Sequence, residues 1–289
     1  MDLDHLRTLL AVIDSSSFEG AAKTLRITPS AVSQRIKSLE TQTGRILLKR
    51  AKPVTATESG VAFVKLARQL DLLEREAMAE LSDSIGERVS LPLVINADSL
   101  ATWVLPALAE LEGINFDIRR EDQDHSTSLL RDGSVMAAVT SDPEPVQGCT
   151  VTQLGSMRYS AVASAGFANR WLPKGPTADS LTLAPLVEFD LKDALQTRYL
   201  ETRVGGPANP PRHYIPASHD FVEAVVLGLG WAMVPDLQAR EHLAAGRLLR
   251  LDPDHPVDVP LYWQQWAIDS AALASVAEAL VGAAARHLR

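Results

Sequence analysis

The sequence predicts a mixed α/β protein: a small helical head, a long connecting helix and a larger body of alternating strands and helices. Three observations carry that prediction. Three short helical periodicities follow one another within the first sixty residues, residues 57–84 run without a proline, and from Val89 onward apolar strand-like runs alternate with amphipathic stretches. At 289 residues the chain has room for about two domains, each with its own core. Hydrophobic residues at 46% and charged residues at 22% exclude a disordered chain.

Leu3, Leu6, Leu10 and Ile13 recur at helical spacing, which predicts a first helix from Asp2 to Asp14, broken by Ser15–Ser17. Ser16 and Glu19 have the spacing of a capping box, and Phe18, Ala21, Ala22 and Leu25 give a second short helix its apolar face, ending near Arg26. Thr28 before Pro29 is an N-cap followed by proline at the first helical position, so a third helix starts there. Val32, Ile36 and Leu39 form its buried stripe until Gly44 stops it. Ser30, Ser33, Gln34, Lys37 and Thr41 are left facing outward.

A short extended piece, Ile46 to Lys49, and a basic turn, Arg50 to Pro53, precede Thr57, which can cap a long helix. Phe63, Leu66, Leu70, Leu73, Ala77 and Leu81 advance in steps of three and four along it, close to an a/d seam, over about 42 Å. Such a helix belongs either to a globular core or to a dimerising linker, and its place between a small basic unit and a larger body favours the linker. In the body, strands are expected at Ser90–Asn96, Phe116–Arg120, Val135–Thr140, Tyr159–Ala163, Leu186–Phe189, His213–Ile215, Trp231–Val234, Leu248–Leu251 and Leu261–Ala267. An alanine-rich last helix, Ala271–Leu288, ends in Arg286 and Arg289, well placed for the negative end of its dipole.

The net charge of −8 conceals an asymmetry: residues 1–60 hold nine Lys/Arg against six acids, +3, which leaves −11 for the rest. A basic head on an acidic body suggests that a polyanion meets only the first segment. The single cysteine, Cys149, excludes an internal disulfide and any multi-cysteine metal site, as expected in a reducing compartment. The acidic start MDLDHLRTLL does not read as a signal peptide, and no apolar run approaches membrane-spanning length, so the expected location is the cytoplasm.

Three short helices with a Pro-started third read as a helix-turn-helix, whose second element docks in the major groove of double-stranded DNA; on spacing alone an ordinary helical bundle is the alternative. Gln34 can make bidentate contacts to a base edge, Ser30 and Ser33 permit close approach, and Arg35 and Lys37 reach phosphates. Arg50 and Lys52 sit on a turn like the wing of a winged helix and add salt-dependent grip. Enzyme readings lack support, because the chain has no nucleophile elbow, no His-Glu-x-x-His and no Walker loop. Gly228-Leu-Gly230 lacks the third glycine of a dinucleotide fingerprint, and His125 and His219 beside acids read as solvated residues rather than metal ligands. No cofactor or metal is expected.

The run Ser17-Phe18-Glu19-Gly20-Ala21-Ala22, then Leu25, Thr28-Pro29-Ser30-Ala31-Val32-Ser33-Gln34, Ile36, Leu39-Glu40 and Gly44 resembles the LysR-type transcriptional regulators over the whole chain. The resemblance places the family's base-reading positions on Pro29, Ser30, Ser33 and Gln34, and the start of its linker helix on Thr57 and Gly60. It implies a winged helix-turn-helix (1–56), a dimerising linker helix (57–86) and a two-lobed α/β effector-binding domain of periplasmic-binding-protein type (87–289). Lobe I then covers about 87–160 and 262–289, and lobe II about 161–261. One departure is visible: Leu47-Leu48-Lys49-Arg50 stands where the family usually has Leu-Phe before the wing arginine.

Asn96-Ala97-Asp98-Ser99-Leu100-Ala101-Thr102-Trp103, Glu121-Asp122, Phe189-Asp190 and Leu261-Tyr262-Trp263 resemble the LysG/ArgP branch. That resemblance implies a regulator that senses lysine or arginine and controls a basic amino-acid exporter gene. The Phe63–Leu81 seam is expected to pair two subunits into a homodimer that sets two reading heads on a palindrome, with further effector-domain contacts building a tetramer and RNA polymerase as a candidate further partner. Ser99, with Thr102 nearby, lies where the first strand gives way to a helix, a ready site for a ligand carboxylate. Asp98, Glu121, Asp122, Asp124 and Asp190 lie at or near strand ends and could meet an ammonium or guanidinium. Trp103 reads as a packing residue. The alternative of another class is a DNA-binding architectural or replication-modulating protein of the same fold with no basic amino-acid effector.

Overall fold

The computed structural model describes residues 2–81, 88–120 and 126–289. Head helices α1 (Leu3–Ser15), α2 (Phe18–Leu25) and α3 (Pro29–Thr43) are each started by a side-chain cap: Asp2 on the Asp4 amide, Ser17 on Gly20, and Thr28 on Ala31. Ser17, rather than Ser16, caps α2, because Ser16 is already committed as the left-handed residue (φ 52°) that ends α1. Leu6, Leu9, Val12, Ala21, Val32, Ile36 and Leu39 close the head's core.

A hairpin of β1 (Leu48–Lys49) and β2 (Thr55–Ala56) forms the wing. The Glu40 carboxylate on α3 accepts the Leu47 amide at 2.9 Å and pairs with Arg50 at 3.4 Å, which fixes the wing to the third helix. Thr57 then caps α4 (Glu58–Leu81) by accepting from the Gly60 amide at 3.0 Å, while its own hydroxyl donates to the Ile46 carbonyl at 2.7 Å. Gly60 is required by contact, since a Cβ there would lie 2.0 Å from the Leu47 carbonyl oxygen. The described helix of 24 residues spans about 36 Å; its expected continuation to Ser84 lies outside the described residues.

Helix α4 buries Val64 and Ala67 in the head and Leu72 in the body. The expected seam is divided: half-buried Phe63 and Leu70 pack against the head's core and Leu66 is half-buried, whereas Leu73 and Leu81 are 40% and 82% exposed and Ala77 is exposed. At its far end Glu76 accepts from the Ser270 hydroxyl (2.6 Å) and the Ala272 amide (2.9 Å), which anchors the linker to the start of the last helix.

The body begins with β3 (Val89–Ile95), followed by a continuous helical stretch of α5 (Ala97–Ser99), a π-helical turn (Leu100–Val104) and α6 (Leu105–Ala109). Next come β4 (Ile114–Arg120), α7 (Ser126–Arg131) and β5 (Ala137–Thr140), with β4 and β5 parallel to β3 on either side. Strand β6 (Cys149–Ala163) leaves this lobe for the second, which contains α8 (Ala165–Trp171), α9 (Ala178–Leu183), β7 (Leu186–Glu188), α10 (Leu195–Val204), β8 (Arg212–Tyr214), α11 (Ser218–Val226), β9 (Ala232–Pro235), α12 (Asp236–Ala244) and β10 (Leu249–Arg250). Strand β11 (Val257–Trp266) returns antiparallel to β6 and leads into α13 (Ala271–His287).

The principal sheet has the order β10-β6-β11-β5-β3-β4, with β9 also on β6. The two lobes are therefore joined by the crossing pair β6 and β11, whose register slips at Leu261/Tyr262, opposite Gly155 at φ 126°. Both strands are longer than the sequence predicts, starting ten and four residues earlier than Tyr159 and Leu261. Pro260 falls inside β11 opposite Ser156, whose amide and carbonyl instead pair with the backbone of Arg289 (2.8 and 3.1 Å), so the ladder leaves no group of Ser156 unbonded. Trp103 is 1% exposed within the core, as its packing role requires.

Candidate effector cleft and nucleic-acid interface

Between the lobes lies a cavity of about 640 Å³. Lobe I contributes Asn96 and Asp98, where β3 gives way to α5; the crossing strands contribute Tyr159 and residues 257–260; lobe II contributes Phe189, Asp193 and Gln196. This is the place where an α/β sheet binds small ligands, outside the carboxyl ends of its strands.

Asp98 accepts a hydrogen bond from the Tyr159 hydroxyl at 2.7 Å. Burial pushes its pKa up to about 6, with the Tyr159 bond opposing the shift and the Asp193 charge adding to it. Asp193 is also raised, mainly by burial, although its carboxylate accepts from the amides of Phe189 (3.3 Å) and Leu195 (3.0 Å). Two carboxylates from opposite lobes thus line one cleft, and the charge of Asp193 raises the cost of ionising Asp98, while that of Glu188 adds to the shift of Asp193. Asn96 Oδ1 and Gln196 Oε1 are buried there with no hydrogen-bond partner among the described residues. These oxygens are acceptors awaiting donors.

A rim of basic side chains lines the cleft together with this acidic pole. Lys192, Arg198, Arg203 and His255 line the same cavity. Asp252 receives Tyr199 Oη at 2.9 Å and pairs with Arg203 at 2.9 Å and His255 at 2.8 Å. Burial opposes its ionisation, yet the His255 and Tyr199 bonds and the Arg203 charge together hold Asp252 below the usual carboxylate range. The Tyr199 phenol is pushed up, first by burial and then by the bond and charge of Asp252. An acidic pole and a basic rim in one cleft suit a zwitterion that carries an extra cation.

Of the residues singled out from sequence, Asp98 faces the cavity. Ser99 is fully buried behind it, its hydroxyl without a hydrogen-bond partner among the described residues, and Thr102 donates to the Asp98 carbonyl at 2.6 Å; neither lines the cavity wall. Asp190 accepts from the amides of Lys192 (2.7 Å) and Asp193 (3.1 Å), shaping the turn that aims Asp193 inward. Glu121, Asp122 and Asp124 lie outside the described residues. Sequence reasoning missed Asp193, Tyr159 and Gln196. Only Asp193 had a local signal, the Asx-turn spacing after Asp190.

On the head, Pro29, Ser30, Ser33, Gln34 and Lys37 are exposed along one side of α3, with Arg50 and Lys52 exposed on the wing. Arg50 also lies 5.8 Å from the Phe18 ring centre, which orients it beside α3. Arg35 is half-buried, reaching Asp4 at 3.3 Å and Thr8 at 3.5 Å, so it ties α3 to α1.

Residues 3–61 match the bacterial regulatory helix-turn-helix protein family lysR, and residues 87–285 match the LysR substrate binding domain. The lysine export transcriptional regulatory protein LysG of Corynebacterium glutamicum is 43% identical over 99% of this chain and 98% of its own. The crystal structure of ArgP from Mycobacterium tuberculosis superposes with a TM-score of 0.88 at 42% identity, covering 100% of this chain and 99% of that one. Full-length LysG from Corynebacterium glutamicum with the effector Arg bound gives 0.80 at 41% identity, covering 100% of both. With head and body each matched in the order in which they fold, the chain belongs to the LysR family of transcriptional regulators.

Proposed function

We propose that this regulator binds arginine or lysine between its lobes and thereby controls transcription of a basic amino-acid exporter gene. The observation that carries the reading is the pair of carboxylates, Asp98 and Asp193, presented by opposite lobes to one cavity beside the unpartnered oxygens of Asn96 and Gln196. A cation enclosed there replaces lost hydration with charge-assisted hydrogen bonds, whereas a neutral ligand would leave two carboxylates facing each other. The names of the relatives support the same choice, since one is a lysine export regulator and another holds Arg as effector. Ser99, Thr102 and Asp190 act in this reading by setting the helix start and the turn that present the ligand contacts, and Glu121 and Asp122 remain candidate cation partners.

On the DNA side, Pro29, Ser30, Ser33 and Gln34 read base edges, and Lys37, Arg50 and Lys52 hold phosphates; Arg35 joins them if DNA draws it from Asp4. The exposed Leu73, Ala77 and Leu81 pair two linker helices and so set two heads on a palindromic site. Isothermal calorimetry with arginine, lysine and the uncharged arginine analogue citrulline tests the effector reading. Binding of either basic amino acid with none of citrulline is the expected result; binding of none of them, or of all three alike, refutes it.

A further inference from the structure

Successive residues of a β-strand point to opposite faces, and at the end of β4 the last two residues are arginines engaged with different parts of the molecule. The Arg120 guanidinium lies 5.5 Å from the centre of the Phe189 ring and donates to the Pro216 carbonyl at 3.1 Å. Both partners belong to lobe II, and Phe189 is a wall of the cleft. Arg119 turns the other way and comes within 3.7 Å of the Asp14 carboxylate, in the last turn of α1 in the head.

Asp14 is at the same time held by Arg68 of the linker at 2.6 Å, and Arg68 Nε donates to the Gly133 carbonyl of the body at 2.9 Å. The Arg68 side chain is only 10% exposed while Asp14 is 42% exposed, so head, linker and body meet at a joint with the guanidinium buried and the carboxylate at the surface. Among the described residues β4 is an edge strand, paired on one side only with β3. Its end has no second strand to hold it in place, so the two arginines supply contacts that a neighbouring strand would otherwise make.

We infer that the Arg119–Arg120 pair is a strut that conveys the separation of the lobes to the DNA-binding head. Arg120 grips lobe II and Arg119 grips the head, so a change in lobe separation displaces the strand end that both share, while Arg68 keeps the joint assembled as a pivot. The strut contacts are partly exposed and individually weak, which lets them break and re-form as the cleft changes. Coupling of this kind acts in both directions: DNA seated on the head must alter ligand affinity by the same factor as ligand alters DNA affinity. Both arginines are positioning residues, and neither lines the effector cavity.

Hydrogen–deuterium exchange of the full-length protein without ligand tests the strut directly, using Arg119→Ala and Arg120→Ala. Replacing Arg120 should speed exchange at least threefold in the last turn of α1 around Asp14, far from its own partners. Replacing Arg119 should do the same in the segment 186–190 of lobe II. Changes confined to each arginine's own neighbours overturn the strut. A second measurement compares affinity for an operator duplex, selected from a random pool, with and without saturating arginine. The ratio of the two should move at least threefold toward unity in either variant and no further in the double variant, because the two side chains act in series. A residue that only stabilises the fold would lower Tm and leave the ratio alone, so an unchanged ratio in both variants also overturns the proposal. Only this second measurement rests on the effector reading: a parent that binds no arginine in calorimetry refutes that reading, and the exchange experiment then decides the strut by itself.

Discussion

On the proposed effector reading, arginine affinity is a function of pH through Asp98. In the free protein its pKa is pushed up to about 6, first by burial and further by the Asp193 charge. A bound guanidinium or ammonium favours the ionised carboxylate, so binding lowers that pKa back toward the ordinary range and releases a proton wherever the free protein held one. At pH 7.5 nearly all molecules are already ionised and the linkage costs almost nothing. At pH 5 only about one molecule in eleven is ionised, so apparent affinity should fall about tenfold, roughly 1.4 kcal/mol. Free arginine keeps the charges of all its groups across that interval, which leaves the change to the protein. Calorimetry at the two pH values, in buffers of different ionisation enthalpy, reads both the affinity and the proton released.

Asp98→Asn separates this role from a structural one. For folding, the raised pKa means that the folded state holds its proton more tightly than the unfolded chain, so the parent loses stability as pH rises from about 4 through about 6. Asparagine can still accept the Tyr159 hydroxyl and no longer pays for a buried charge, so the variant should be at least as stable as the parent at pH 7.5, by up to about 1 kcal/mol. It should nevertheless bind arginine more than tenfold more weakly there and lose the pH dependence. Equal parent affinity at pH 5 and 7.5, or parent-like binding by Asp98→Asn, would refute the reasoning.

Three further outcomes follow from the same geometry. Gln34→Ala should cost roughly 1–3 kcal/mol on the operator and relax specificity, while Arg50→Ala should weaken all sequences alike and reduce the salt slope by about one; equal losses on specific and random duplex for Gln34→Ala would remove it from base reading. Leu73→Asp with Leu81→Asp places charges on exposed seam positions, so sedimentation should show a folded monomer, and an unchanged oligomer would place the dimer contact elsewhere. Gly60→Ala forces a Cβ to within 2.0 Å of the Leu47 carbonyl and should lower thermal stability by about 1–3 kcal/mol, with the wing displaced; a parent-like Tm would show that the wing and linker shift apart freely.

The head was legible because its instructions are local. Thr28 with Pro29, Gly44 and Thr57 each act on amides or dihedrals within a few residues, and the structure uses every one of them as a cap or a stop. The one slip there, Ser16 for Ser17, arose where three serines in a row offer the same hydroxyl, and the choice depends on which of them takes the left-handed conformation that ends α1. The crossing strands were half hidden for a different reason. Their early halves alternate polar with apolar residues and include Gly155 and Pro260, both of which argue against a strand on local grounds. Pairing with the distant residue Arg289 removes the penalty, and nothing near Pro260 in sequence announces it.

The cleft shows the same division between local and tertiary information. Asp98 could be read from its place at the end of a strand, because that position alone points into the crevice of an α/β sheet. Asp193 follows its strand by five residues and enters the cavity only because Asp190 turns the chain, so the residue named from sequence makes the turn and its neighbour faces the ligand space. Tyr159 and Gln196 lie within a strand and a helix, where their side chains read as ordinary polar positions, and they acquire a role only when the lobes meet. What makes the site selective is therefore the distance between two lobes rather than any motif. On the proposed reading, a cation is bound well only when Asp98 and Asp193 are brought close, and bringing them close without one is opposed by their charge. On that reading the acidic pair favours open lobes when the cleft is empty and closed lobes when it holds a cation, which is the differential affinity that a ligand must have for two conformations in order to act as a signal.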